Sequence, residues 1–327
     1  MKFVTEKYGE PWWYFSRQDV HQELKRAARS ADGLGKPPDL QLGVQVERVD
    51  LDTKTVYTTS GHAYRADVIV GADGIRTASG NSVFGKITSE TQGLSAYRCM
   101  IPSERLRNSP ETEILVDSAK ILTFIGPDRR IVAYPCSSWE YMNFVGIFPD
   151  GTERRSQWTT KVSVEEMVDA FRDFHPCVPK ALSMATSTGV WQLRDRNPLP
   201  TLVRGCYALV GDAAHAMGPH QGQGACQAIE DAEALRVVLK GATTHDVEQR
   251  LAVFDEIRVE RVKTVIEYTR DSAPKATTSN EVNHKPSQAY TDYYWRYKMT
   301  QEAVDAMQRN GYSMNIKDPA TGEIGLT

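Results

Sequence analysis

A chain of 327 residues exceeds what one compact domain usually needs and allows about two units or one large one. With 40% hydrophobic and 25% charged residues, and with 23 Gly and 16 Pro, it has the composition of an ordinary globular protein, which excludes disorder, collagen and coiled coil. Lys and Arg number 39 against 42 Asp and Glu, so a net charge of -3 leaves no polyanion-binding excess and no nucleic acid is expected as a partner.

In chain order, the first predicted element is a helix from Ser16 to about Ala31. Ser16 and Asp19 make an S-x-x-D capping box there, and Val20, Leu24 and Ala27 recur at helical spacing. Leu42, Val44 and Val46 alternate as a half-buried strand, and residues 55–59 and 62–64 flank Ser60-Gly61 as a hairpin. The run Asp67-Val-Ile-Val-Gly71 ends in Ala-Asp73-Gly74 and reads as a strand buried on both faces, the kind that belongs in an α/β sheet. From about Gly93 to Phe148 the β signal dominates, with strands predicted over 94–101, 113–116, 121–125, 131–136 and 141–148.

Ser163 and Glu166 form a second capping box, opening a helix to about His175, and residues 190–193 read as a returning strand. Cys206-Tyr-Ala-Leu-Val-Gly211-Asp212 repeats the buried strand with an acid at its tip. A helix from Gly224 to about Lys240 and a longer one from about Asp246 to Tyr268 follow. Residues 272–287 are polar and predict a loop or linker. The aromatic group from Tyr290 to Tyr297 predicts a docked helix face, with a substrate wall as the other reading.

No apolar stretch approaches the roughly 20 residues of a transmembrane helix, and the start MKFVTEKYGEPWWYF lacks the apolar segment of a signal peptide, so a cytoplasmic protein is expected. The five cysteines, Cys99, Cys136, Cys177, Cys206 and Cys226, contain no CxxC pair and are expected as buried, reduced thiols. His215 and His220 with Asp212 lack a fourth ligand and match no zinc spacing, so no metal is expected. No G-x-S-x-G occurs, which makes a hydrolase a poor alternative.

The segment from Gly211 to Asp231, GDAAHAMGPHQGQGACQAIED, carries the chemistry. A buried strand delivers Asp212 to its C-terminal edge, where ligands bind in open α/β sheets and where a carboxylate accepts hydroxyl hydrogen bonds. Gly222 and Gly224 allow close approach of a flat or anionic group at the N-terminus of a helix, whose free amides and dipole favour negative charge.

This segment resembles the Gly-Asp motif of class A flavoprotein monooxygenases, the group that includes salicylate and para-hydroxybenzoate hydroxylases. Trp191-Gln-Leu-Arg-Asp-Arg-Asn-Pro-Leu-Pro200 and Phe254-Asp-Glu-Ile-Arg-Val-Glu-Arg261 are similar to the same family. The resemblance implies that Asp212 binds the ribityl chain of FAD, that residues Pro219 to Gly224, Gly222 among them, line the isoalloxazine ring, and that Ala225 lies against the cofactor. Val68-Ile-Val-Gly-Ala-Asp73-Gly74 resembles the family's Asp-Gly motif, which approaches the pyrophosphate and influences NAD(P)H docking. Phe15-Ser-Arg17-Gln-Asp-Val resembles the segment whose arginine contacts FAD, and Arg98 matches an active-site arginine of related fungal biosynthetic enzymes.

Two departures stand out. Where the family pattern ends in Ser-x-x-Arg, this chain has Thr77-Ala-Ser-Gly80, so a guanidinium is replaced by glycine. The family's opening strand and G-x-G-x-x-G turn are absent from the sequence, so the resemblance begins within the FAD domain. This leaves open a shortened enzyme, a degenerate protein without flavin, or a fold kept for another use.

The expected fold is α/β: a partial Rossmann-like FAD-binding domain over 1–90 and 191–270, an inserted β-rich substrate domain over 91–190, and a C-terminal linker with helices over 271–327. The expected function is FAD-dependent hydroxylation or epoxidation of an aromatic, indole or polyketide-type small molecule with NAD(P)H and O2, in secondary metabolism. Arg98 is the catalytic candidate. The alternative is a non-catalytic binding protein, and the sequence fixes no oligomeric state.

Overall fold

The structure, a computed structural model, describes residues 2–32, 36–117, 120–150, 159–273 and 288–314. The elements run α1 (Lys2–Tyr8), α2 (Arg17–Ala28), β1 (Val46–Asp50), β2 (Thr55–Thr58), β3 (Ala63–Arg65), β4 (Ile69–Gly71), α3 (Ala78–Phe84), β5 (Glu90–Pro102) and α4 (Ser103–Arg107). Next come β6 (Leu122–Ile125), β7 (Arg130–Cys136), β8 (Tyr141–Pro149), β9 (Thr159–Val162), α5 (Val164–Ala170), α6 (Cys177–Leu182) and β10 (Thr188–Asp195). The chain continues through β11 (Val203–Arg204), β12 (Tyr207–Leu209), α7 (Asp212–His215), α8 (Gly224–Val238), α9 (Val247–Asp271), α10 (Gln288–Trp295) and α11 (Met299–Arg309).

Local chemistry sets many of these boundaries. Ser16 Oγ accepts the Asp19 amide at 3.0 Å and Ser163 Oγ accepts the Glu166 amide at 3.1 Å, so both capping boxes start helices. The second helix stops at Ala170 rather than His175, and a separate α6 follows Pro176. Residues 42–45 form no strand; Leu42 is 77% exposed, and pairing starts at Val46. Residues Glu113–Leu115 form a 3-10 turn instead of the expected strand. No residue of α2 is buried, so its apolar stripe stays unpacked. The expected linker over 272–287 lies outside the described residues except for 272 and 273.

Among the described residues, contacts divide the chain into one unit within 2–40 and 93–193 and another within 41–92, 194–273 and 288–314. In the first, six strands lie in the order β6-β7-β8-β5-β10-β9. Antiparallel register sets Arg98 opposite Val145, Met100 opposite Asn143 and Tyr134 opposite Asn143. Strand periodicity therefore puts these side chains on one face. The other face buries Tyr97, Cys99, Ile101, Ile131, Ala133 and Phe144 against Met167 and Phe171 of the α5 segment and Val178 and Ala181 of α6.

In the second unit, β12 runs parallel to β4, pairing Tyr207 with Ile69, Ala208 with Val70 and Leu209 with Gly71. The β12 side chains are fully buried in a core shared with α8, α9 and α11, whereas Val70 is 43% exposed, so β4 is not buried on both faces as its apolar run predicts. The hairpin forms as expected, with Val56 opposite Tyr64. Tyr290 of α10 stacks on Tyr268 of α9 at 4.0 Å, which fits a docked helix face. Four cysteines are buried free thiols, but Cys226 is exposed. No helix among the described residues is long and apolar enough to cross a membrane.

Candidate functional site

Because β4 and β12 are parallel neighbours, the loops leaving their C-terminal ends bring Asp73 and Asp212 to one edge of the sheet. Both carboxylates are exposed there. Asp73 Oδ2 accepts the Ser79 amide at 2.9 Å and so ties its loop to α3. Asp212 opens α7 and makes no hydrogen bond with the described residues, which leaves its oxygens available to hydroxyl donors. Arg196, 1% exposed, donates to the Ile75 carbonyl at 2.6 Å and also to the Ala213 carbonyl, so one guanidinium staples both loops. Burial lowers its pKa, while the carboxylates of Asp212 and Asp73 oppose that shift.

Downstream, Pro219–Gln221 make a 3-10 turn that ends in the left-handed Gly222 (φ 65°). Helix α8 then starts at Gly224 with no side-chain cap, so its first amides await an acceptor. A Cβ added at Gly222 or at Gly74 would meet nothing within 4 Å, and one at Gly224 only Met217 at 4.0 Å. Open space in front of these glycines, an uncapped 15-residue helix and unengaged carboxylate oxygens fit a group with hydroxyls and a flat ring that gains negative charge on reduction. Pro219, Gly222, Gly224 and Ala225 thus gather on one turn of the unit that also holds Asp73 and Asp212.

Beneath this turn lies a network to which sequence reasoning gave no role. Asp231, fully buried, accepts from the Gly211 amide at 2.8 Å and from His215 Nε2 at 2.6 Å through one oxygen, and from Arg258 Nε at 2.8 Å through the other. Arg258 also donates to Glu230 at 2.6 Å and to the Gln227 side chain at 2.9 Å. Burial would raise the Asp231 pKa, but the His215 bond, the charges of His215 and Arg258 and the Gly211 amide hold it below the usual carboxylate value. The signal was in the helix pattern: Asp231 shares the buried α8 stripe with Gln227 and Ala234, and Arg258 shares that of α9 with Phe254 and Val262. His215 is thereby engaged, and His220 Nε2 lies 3.0 Å from Gln92 Oε1; among the described residues no group of three or more His, Cys, Asp or Glu is placed to hold a metal.

Gly80, where the family pattern has arginine, is buried. A Cβ there would come 2.7 Å from Thr77 Oγ1, which accepts the Gly80 amide at 2.8 Å, and 3.1 Å from Leu209 Cδ2. Glycine thus makes room for the Thr77 side chain to fold over its amide, with Leu209 of β12 close behind.

Arg17 and Arg98 belong to the other unit. Arg98 lies on the sheet face not covered by α5 and α6, with its guanidinium 5.6 Å from the Trp191 ring centroid. Burial of the guanidinium lowers its pKa, Tyr134 opposes this, and the like charge of Arg17 adds to the lowering. The Tyr134 phenol is pushed up by burial, with Arg98 pulling the other way. Tyr134 and Asn143 escaped the sequence reading, and Trp191 entered it only within a family-like segment, because alternation separates two faces of a strand without saying which face is covered.

A sequence profile described as "FAD binding domain" matches residues 41–269. Hispidin-3-hydroxylase of Neonothopanus nambi is 33% identical over 281 residues, covering 81% of this chain and 67% of that protein. The FAD-dependent monooxygenase cfoG of Aspergillus candidus is 28% identical over 333 residues, covering 96% of this chain and 77% of its own. Among solved structures, a salicylate hydroxylase substrate complex matches with a TM-score of 0.73 at 27% identity, covering 89% of this chain and 75% of that one. The α/β fold is that of flavin-dependent hydroxylases. The chain belongs to the FAD binding domain family, within the class A FAD-dependent monooxygenases.

Proposed function

We propose that this chain inserts one atom of O2 into an aromatic, indole or polyketide-type small molecule in secondary metabolism. FAD, reduced by NAD(P)H, supplies the oxygen-activating chemistry when bound. The observation that carries the reading is the pair of parallel strands that delivers Asp73 and Asp212 to one edge of a unit whose α8 begins uncapped behind two glycines. In this reading Asp212 accepts the ribityl hydroxyls and the Asp73-Gly74 loop serves the pyrophosphate side. Pro219, Gly222 and Gly224 line the ring, Ala225 packs on it, and the first amides of α8 hold negative charge at the ring. Arg17 serves phosphate or ribose oxygens.

Arg98 is the catalytic residue that orients or polarises substrate, and Tyr134 and Trp191 supply a polar tip and an aromatic wall on the same face. The Arg98 guanidinium, whose charge burial and the like charge of Arg17 disfavour, suits an anionic partner such as a phenolate or carboxylate. The names of two relatives, hispidin-3-hydroxylase and salicylate hydroxylase, support hydroxylation. Cytoplasmic action is part of the reading, since NAD(P)H is available there and free thiols stay reduced.

Titrating the purified chain with FAD tests the first half, by quenching of flavin fluorescence. The second half is tested by NAD(P)H oxidation against a panel of phenols, aromatic carboxylates and indoles, with mass spectrometry for products heavier by one oxygen. FAD binding with a substrate-dependent oxygenated product is expected. A chain that binds no FAD, or binds it and oxygenates nothing in the panel, refutes the enzyme reading in favour of a binding protein.

A further inference from the structure

We infer that Asp231 is the positioning residue of the cofactor edge, acting on bound flavin through Asp212. This rests on the reading that Asp212 takes the ribityl hydroxyls. Helix α7 is a single turn, Asp212–His215, with Gly211 at its N-cap. Asp231 Oδ2 receives the Gly211 amide at 2.8 Å before that turn and His215 Nε2 at 2.6 Å at its end. One oxygen therefore brackets the four residues that begin with Asp212 and fixes where its side chain leaves the backbone.

Gly211 needs such a tie. Its backbone, at φ 57° and ψ -146°, lies in a region that only glycine enters freely, and the amide bond to Asp231 holds it there. The rest of the network keeps the oxygen in place. Arg258 Nε takes Oδ1 at 2.8 Å and is itself fixed by Gln227 at 2.9 Å and Glu230 at 2.6 Å. Carboxylate and guanidinium are both without solvent exposure, a placement whose desolvation makes it poor value as mere helix-to-helix packing but well suited to fixing one geometry.

A purely structural ion pair and a positioning pair differ in how they couple to Asp212. FAD dissociation constants are measured for wild type, Asp212→Ala, Asp231→Asn and the double variant. The visible circular dichroism of bound flavin is recorded at saturating FAD, and cooperative thermal melts show that each variant is folded. Asp212→Ala is expected to weaken FAD at least tenfold and Asp231→Asn by roughly tenfold with an altered flavin dichroism, while the double variant binds no worse than Asp212→Ala alone.

His215→Phe removes one of the two bracketing donors but leaves the Asp231–Arg258 pair, and decides the matter should Asp231→Asn not fold. It is expected to weaken FAD several-fold, again without adding to Asp212→Ala. Losses that multiply in the double variants, or an Asp231→Asn protein with wild-type affinity and dichroism, overturn the inference while leaving Asp212 in its role. A silent Asp212→Ala overturns the role of Asp212 and the inference built on it together.

Discussion

Arg196 directs its guanidinium to main-chain oxygens, with Nη1 and Nη2 reaching Ala213 and Ile75 while the buried Nε has no hydrogen-bond partner among the described residues. A lysine offers a point charge and cannot span two carbonyls on different loops as a planar fork does. Arg196→Lys therefore leaves a carbonyl unsatisfied, at about 1–3 kcal/mol of stability. It should also weaken FAD about tenfold, because both acid-bearing loops lose their common anchor. Urea unfolding and flavin titration check this; unchanged values in both would remove the staple from the account. On the other unit, Tyr134→Phe keeps the ring and deletes the phenolic tip beside Arg98. It should leave the FAD dissociation constant unaltered and lower kcat/KM about tenfold. Equal losses in flavin affinity and turnover would show that Tyr134 serves the fold instead.

At the level of elements, α3 shows why one departure from the family pattern is tolerated. Thr77 caps the helix through the Gly80 amide, and the missing side chain at Gly80 leaves room first for the Thr77 side chain and then for Leu209 of β12. Gly80→Ala must displace the Thr77 side chain from its cap and should cost about 1–3 kcal/mol by urea unfolding, with a larger loss for Gly80→Arg. A variant as stable as wild type would mean that the Thr77 side chain can turn aside freely. The same element marks the reach of sequence reasoning. Glycine at position 80 read as a lost anion contact, and only the fit of the Thr77 cap over it gives it a positive reason. Strands whose partners follow closely, such as β2 with β3 and β7 with β8, were legible because a turn fixes their register. Residues 42–46 alternate as well as any strand, yet regular pairing begins only at Val46, and Glu113–Leu115 closes a turn on the Ser109 and Thr112 carbonyls despite its apolar side chains. Of the candidate site, the acids and glycines were readable because their motifs are contiguous. Arg196 and Tyr134 were not, since what they do depends on chain segments more than one hundred residues away for Arg196 and on a covered sheet face for Tyr134.

At the scale of the whole molecule, two sets of perturbed groups among the described residues, carboxylates and phenols, bound the pH range of stability from opposite sides. Asp19, Asp50, Asp231 and Asp246 all have pKa values held below the ordinary 3.8, so the folded chain releases these protons more readily than the unfolded one. Their stabilisation is complete above the unfolded carboxylate value and drains away as pH falls through the lower folded values. Burial pushes Tyr207 and Tyr297 up to about 12 from 10.0, so their contribution is complete below 10 and is lost as pH rises toward 12. A plateau through neutrality with a limb on each side follows. Asp246 lends itself to testing the acid limb because it lies near the surface just before α9, where its carboxylate takes the Thr243 amide and hydroxyl of the preceding turn and pairs with Arg250 one turn on. Asp246→Asn removes a group that must be protonated before its bonds are lost. The variant should therefore be less stable than wild type at pH 7, and the gap should narrow as the pH is lowered from 5 to about 2. Urea midpoints at pH 7, 5 and about 3 measure this, and parallel curves for the two proteins would show that Asp246 carries no part of the acid limb.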